Sequence, residues 1–401
     1  MSTHHHDDIA PSRFIIYSQD GLGLGHMRRT SAIAGRVLHR LPGACVLTLS
    51  DSQLGQFFPI SASHDYLKLP SIVKTGPGDW RAARLPLAFQ TIQAMRQEII
   101  CSATLRFRPD IFLVDHMPHG TMGELLPTLR ALKAAKAQTK VVLGLRDILD
   151  APQVVEERWR TEGAYDAVEE FYDLVLIYGM RELFDLAEHY GFSPAMRARS
   201  RYCGYVCPAP ADRRRQPVRA GLNGHRDAQL IVVMAGGGAD AYPMMRATLD
   251  ALPLLQHQHL YCVIITGPFM PPDLQQDLQT RAATLPAQVL TAVEDTYSYL
   301  EEADLVIAMA GYNTTVEILQ SGKRAILVPR RGPSAEQQMR AKLFAAKGWV
   351  AMLDPDELYP PHFAELIATT LAQRGQPTTP IAPDLAGLDN SAEHLLALLR
   401  A

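Results

Sequence analysis

The chain has 401 residues, 20% of them charged and 47% hydrophobic, which is enough for two domains of roughly 150–200 residues each. Lys+Arg 39 against Asp+Glu 42 leaves a formal charge of −3. That excludes a global basic field for nucleic acid, and the composition excludes a disordered, collagen-like or disulfide-dense secreted chain.

Residues 1–12 read as a flexible, His-containing leader without the apolar stretch of a signal peptide. Short apolar runs then alternate with helical patterns. The runs are Phe14–Ser18, Cys45–Leu49, Ile111–Val114, Val141–Leu145 and Leu174–Tyr178; helical spacing covers Arg28–His39, Leu87–Leu105 and Glu124–Ala137. Continuous apolar strands separated by helices predict a parallel sheet covered on both faces. The Pro-rich, basic stretch Pro208–Arg219 cannot build a core and predicts a linker. Beyond it the alternation restarts with Leu230–Met234, Tyr261–Ile265, Leu305–Ala308 and Ala325–Val328. The expected fold is α/β, with two doubly wound Rossmann-like domains facing a cleft: residues 13–207, a linker at 208–227, and residues 228–401, whose last helix can pack back on the first domain. Five cysteines, Cys45, Cys101, Cys203, Cys207 and Cys262, are too scattered for a disulfide framework or a zinc site and are expected to be reduced. No run of eighteen apolar residues occurs, so a cytoplasmic protein without a membrane-spanning helix is expected.

Ligands bind doubly wound sheets at the carboxyl ends of their strands, so the chemistry is sought in the loops that follow them. The first such loop is Asp20-Gly-Leu-Gly-Leu-Gly-His26-Met-Arg28-Arg29. Gly21, Gly23 and Gly25 permit a sharp turn, but their spacing fits neither a dinucleotide fingerprint nor a Walker A loop. His26 reads as a general base, or as a helix-start histidine bonding its own backbone. Asp115, after the strand ending at Val114, could orient that imidazole or simply cap a helix. His116 and His119 form H-x2-H without a third ligand, so no metal is expected. Gly236, Gly237 and Gly238, between strand and helix, offer amides to a diphosphate, and Thr266-Gly267-Pro268 is a lesser version. Gly311-Tyr312-Asn313-Thr314-Thr315-Val316-Glu317 opens another helix, with Glu317 placed to accept ribose hydroxyls. Glu336 and Gln337 suit sugar hydroxyls. Arg28, His116, Arg146, Arg330 and the loop glycines Gly23 and Gly25 are candidate acceptor or phosphate contacts.

The glycine loop, Val293-Glu294-Asp295, the G-Y-N-T-T-V-E start and the E-Q-x-x-R-A start together resemble glycosyltransferase family 28, of the glycosyltransferase B fold. The similarity is strongest from Gly236 to Ala341. It implies that the Val293 backbone reads a nucleobase, Glu317 binds ribose, the glycine loop holds the diphosphate and Gln337 binds the donor sugar. Thr266, Gly311, Asn313 and Thr314 complete the implied donor set. Met309-Ala310 and Arg340 depart from the peptidoglycan N-acetylglucosaminyl transferases of that family. The chain also resembles bacterial predicted glycosyltransferases sharing L-G-L-G-H, G-L-R-D-I-L-D (Gly144–Asp150) and Y-C-G-Y (Tyr202–Tyr205).

What these resemblances imply is an inverting, metal-independent transfer of sugar from a nucleotide-sugar substrate, a UDP-sugar by the family's majority. No separate cofactor is expected, and the acceptor is unidentified: a small molecule, a glycan or a lipid-linked sugar. Two rivals stand beside transfer. The G-L-G-H-M-R-R start is also similar to the UDP-sugar hydrolase of pseudaminic acid synthesis, and a non-catalytic nucleotide-sugar-binding protein would carry the same donor residues. The stretch Arg81–Arg96 joins basic and apolar residues. Leu85, Phe89, Ile92 and Met95 recur at near-helical spacing and are expected to be mostly core, leaving peripheral membrane contact as the alternative.

Overall fold

The computed structural model describes residues 11–19, 25–52, 62–76, 79–207, 216–222, 224–373 and 381–400. Its first part contains β1 (Arg13–Ser18), β2 (Cys45–Ser50), β3 (His64–Lys68), β4 (Ile72–Gly76), β5 (Asp79–Ala82), β6 (Ile111–Asp115), β7 (Lys140–Arg146), β8 (Leu174–Tyr178) and β9 (Ser200–Tyr202). Seven of these form a parallel sheet in the order β3-β2-β1-β6-β7-β8-β9, while β4 and β5 pair as a separate antiparallel hairpin. The second part contains β10 (Gln229–Met234), β11 (Leu260–Ile265), β12 (Ala287–Leu290), β13 (Leu305–Ala308), β14 (Ala325–Leu327) and β15 (Ala351–Met352). They form a second parallel sheet, β12-β11-β10-β13-β14-β15. β6, β8 and β13 are buried at every position. That is why they read as continuous rather than alternating apolar runs, as sheets covered by helices on both faces require.

In each sheet the chain reverses its direction of winding at one place, between β1 and β6 and between β10 and β13. Such switch points open a crevice at the carboxyl ends of the two strands. His26, Asp115, the glycines 236–238 and Gly311 all follow these four strands. A single apolar core joins the facing sides of the sheets, running from Phe14, Ile16 and Leu113 through Cys203, Tyr205 and Cys207 to Val232, Val306 and Val316. The last helix, Gly387–Leu398, lies on the first helix, Gly25–Arg40. Arg36 and Arg40 reach Asp389 at 3.2 and 2.6 Å, and the Asn390 amide donates to the Cys203 carbonyl at 2.9 Å.

Several elements differ from their sequence-based outlines. The first helix starts at Gly25, so His26 lies inside its first turn. The helix expected from Glu124 runs only over Leu126–Ala134, because Glu124 is buried in ion pairs with Arg96. The expected linker is anchored from residue 216 onward: Gln216 and Val218 donate backbone N–H groups to Ser298 and Glu302, and Val218 and Leu222 are buried. Residues 1–10 and 208–215 lie outside the described residues. All five cysteines are free thiols. β3, β9, β12 and β15, and the β4–β5 hairpin, were not predicted; the first four are the short edge strands of the two sheets.

The expectation for the Arg81–Arg96 stripe holds in part: Ile92 is core and Phe89 half-buried, while Leu85 and Met95 are exposed. The Phe89–Phe107 helix buries Ile92, Arg96, Ile100 and Thr104, a line at i, i+4, i+8 and i+12. Arg96 occupies the core side because Glu124 grips its guanidinium at 2.5 and 2.6 Å. Leu85, Leu87 and Met95 are instead exposed.

Candidate active site

The first helix and the end of β6 together build the catalytic candidate. His26 Nδ1 lies 2.5 Å from Asp115 Oδ2. Asp115 is fully buried, and Arg29, one turn beyond His26, donates to both its oxygens at 3.2 and 2.6 Å. Burial pushes the Asp115 pKa up, but Arg29 and then His26 more than offset this and hold the carboxyl well below its usual range. An ionised carboxylate beside Nδ1 selects the tautomer with the proton there, leaving Nε2 as the unprotonated nitrogen, the form a general base needs. The Arg29 guanidinium is itself held between the rings of Tyr178 and Tyr312 at 5.5 and 5.4 Å. The Asp115 carboxylate is therefore bonded by His26 and Arg29 and not spent on capping a helix.

His116 follows directly, with φ +81, its backbone N–H bonded to the Gly144 carbonyl at 2.8 Å. Its ring centroid is 5.6 Å from that of His26, and its buried Nδ1 has no hydrogen-bond partner. Burial, reinforced by Arg146, holds this imidazole well below its usual pKa, so it is neutral. His119 faces Glu162 at 3.5 Å. Among the described residues, no group of three His, Cys, Asp or Glu side chains is placed to hold a metal.

Across the cleft, the start of the helix Tyr312–Ser321 meets Gly25, the residue before His26. The Asn313 amide donates to the Gly25 carbonyl at 2.9 Å. Gly311 is its N-cap and provides no side-chain cap, so first-turn N–H groups are left to other acceptors. The glycine turn sits alongside: a Cβ on Gly236 would lie 3.8 Å from Thr314 Oγ1. Gly236 and Gly238 both have positive φ, and a Cβ on Gly238 would fall 1.7 Å from the Thr266 carbonyl oxygen. Gly238→Ala is therefore expected to cost about 1–3 kcal/mol from backbone strain, with the collision added. Denaturant unfolding checks this, and a loss below that range would mean the turn relaxes around a side chain.

The remaining candidates divide. Glu317 is 2% exposed, one turn into the same helix, and faces Arg28. Val293 is half-buried in the loop ahead of Thr296–Glu302. Arg330 lies 4.0 Å from Asp240 beside the glycine turn, and its backbone N–H donates to the Gln337 side chain at 3.2 Å. Two candidates are otherwise engaged. The Thr266 side chain is fully buried, its hydroxyl 3.4 Å from the carbonyls of Gly267 and Leu290, so it shapes the turn rather than facing a ligand. Glu336 is buried between Arg146 and Arg340, each 2.9 Å away. Burial pushes its pKa up, but these two cations more than offset it and lower the pKa. It is a strut between the domains instead of a free sugar ligand. Gly21 and Gly23 lie outside the described residues.

Four residues at the domain seam were not assigned roles from sequence. Arg340 is completely buried and donates to both oxygens of Asp147, at 2.9 and 2.6 Å, and to the Ala310 carbonyl at 2.8 Å. Tyr312 lies between Arg29 and Arg340, and its hydroxyl accepts from the Val206 N–H at 2.9 Å. Asp150 accepts from the Ala335 N–H at 2.9 Å. The only signal for them was their presence in the G-L-R-D-I-L-D, G-Y-N and E-Q-x-x-R segments.

Residues 231–389 match the glycosyltransferase family 28 C-terminal domain. The chain is 30% identical over 194 residues to the UDP-N-acetylglucosamine–N-acetylmuramyl-(pentapeptide) pyrophosphoryl-undecaprenol N-acetylglucosamine transferase of Syntrophotalea carbinolica, covering 46% of this chain and 53% of that one. It spans about half or less of the curated relatives it matches. MurG of Acinetobacter baumannii superposes with a TM-score of 0.57 at 16% identity, covering 97% of this chain and 99% of that one. A Listeria monocytogenes protein assigned as a UDP-N-acetylglucosamine 2-epimerase superposes at 0.63 with 13% identity, covering 98% and 96%. At these identities the superpositions establish the fold and leave the reaction open. The chain thus has the two-domain glycosyltransferase B fold, and its residues 231–389 are similar to the glycosyltransferase family 28 C-terminal domain.

Proposed function

We propose that the protein is an inverting glycosyltransferase that moves a sugar from a nucleotide-sugar, with UDP the leading carrier, to an acceptor hydroxyl. The observation that carries this reading is the His26–Asp115–Arg29 chain, set against the helix start and glycine turn of a family 28 domain. His26 takes the acceptor proton as the hydroxyl attacks the anomeric carbon from the face opposite the leaving group. Amides of Gly236–Gly238 and the dipoles of the helices Tyr242–Ala251 and Tyr312–Ser321 receive the developing charge on the diphosphate. That role needs no divalent ion. Glu317 holds the ribose, the Val293 backbone reads the base and Gln337 contacts the sugar. Glu317→Ala is expected to weaken binding of UDP by about 1.5–3 kcal/mol, the range for hydrogen bonds to a charged group. Calorimetry showing unchanged affinity would remove the ribose role. Sugar release from donor alone, as fast as any transfer, would make the protein a hydrolase instead.

The acceptor is proposed to be lipid-linked, as in the name of the Syntrophotalea relative. No helix among the described residues is long and apolar enough to cross a membrane. Leu85, Leu87, Met95 and Met122 are 46%, 47%, 39% and 48% exposed, and the Gln93 amide donates to the Met122 carbonyl at 2.6 Å, tying that loop to the helix. Arg81 and Arg84 are exposed in the same region. Apolar side chains beside basic ones suit the surface of an anionic membrane. Flotation with anionic liposomes is expected to show binding that high salt reverses and that Arg81→Glu with Arg84→Glu abolishes. No binding at low salt would turn the search to soluble acceptors.

A further inference from the structure

Arg28 is a charged group of the first domain that reaches into the proposed donor site. Its Nη1 lies 3.4 Å from Glu317 Oε2, and its Nη2 donates to Thr296 Oγ1 at 3.2 Å. Arg28, Arg29, Val206, Cys207, Asn313 and Glu317 line one pocket. Of the two cations there, Arg29 is locked on Asp115, whereas the Arg28 side chain is 37% exposed and its pair with Glu317 is long. The carboxylate assigned above to the ribose thus meets a guanidinium at Oε2. A ribose hydroxyl that donates to Oε2 competes with the guanidinium for it.

The diphosphate cradle is close by. Asn313 touches Gly25, three residues before Arg28, and its neighbour Thr314 abuts Gly236. Glu317 lies only one helical turn further, about 5.4 Å along the axis. That separation is within the sweep of an arginine side chain.

We propose that Arg28 is a donor-binding residue that changes partner. In this structure it pairs with Glu317 and Thr296; when a nucleoside diphosphate binds, the ribose takes Glu317 and the guanidinium turns to the diphosphate. A half-exposed ion pair is weak, and a guanidinium–phosphate contact in the cleft is stronger. The exchange therefore favours diphosphate over nucleoside. This rests on the ribose reading of Glu317.

The test is calorimetry of the full chain with uridine and with UDP, comparing Arg28→Gln and Arg28→Lys with the wild type. Arg28→Gln is expected to bind uridine about two- to fivefold more tightly, because a weak competitor is gone, and UDP about tenfold or more weakly. Arg28→Lys is expected to recover part of the UDP affinity, since a point charge still meets phosphate without the guanidinium fork. Equal changes for both ligands, or unchanged UDP affinity, would overturn the exchange while leaving the ribose reading intact. If Glu317→Ala changes neither affinity, or the wild type binds neither ligand, the donor reading falls and the exchange falls with it.

Discussion

Replacing His26 with alanine is expected to lower sugar transfer by about 10²–10⁴, the usual contribution of a positioned general base, while donor affinity stays within a few-fold. The asymmetry follows from where the side chain sits. His26 is on the first domain, held by Asp115, which Arg29 grips in turn, whereas the proposed donor contacts other than Arg28 lie on the second. Asp115→Asn is expected to cost less, because the imidazole remains while its tautomer is no longer enforced. Steady-state transfer assays with calorimetric donor titration separate the two quantities. A large loss of donor binding with transfer intact would place His26 on the phosphate and leave the base unidentified. Asp115 itself stays ionised through neutral pH, since its carboxyl is held well below the usual range. Its contribution to stability is thus present above about pH 4, the unfolded value, and is lost as pH falls through the folded value.

Arg340→Ala is expected to destabilise the protein by about 3–5 kcal/mol, the range for removing one partner of a buried ion pair. The guanidinium is fully buried and satisfies Asp147 from the first domain and Glu336 from its own helix. Its loss leaves Glu336 paired with Arg146 and strips the buried Asp147 carboxylate of its guanidinium. Because Asp147 belongs to the first domain, the damage is to the seam as well as to the local fold. Urea unfolding of wild type and variant gives the difference directly. A change below about 1 kcal/mol, the ordinary yield of an exposed pair, would mean that water reaches this network in solution.

The central strands of the two sheets were legible in the sequence, because strands buried on both faces must be apolar throughout and cannot hide among amphipathic helices; their order, and so the switch points, came only from the structure. The loops carrying chemistry were legible for the same reason: once the strands are placed, their carboxyl ends are too. His26, Asp115, Gly236–Gly238 and Glu317 could be picked out on that basis alone. Tertiary structure alone decided which polar residues are spent on holding the molecule together. Arg96 and Glu336 read as surface or ligand groups, yet each is buried, because an opposite charge distant in sequence removes the cost of burial. Met95 read as core and is exposed, since Ile92, Arg96 and Ile100 take the inward line of its helix; Leu85, ahead of that helix, is exposed as well. Pairings such as Arg340 with Asp147, 193 residues apart, leave no periodic trace in the chain. They depend on how two independently patterned domains meet, and hydrophobic spacing within either domain carries no record of that.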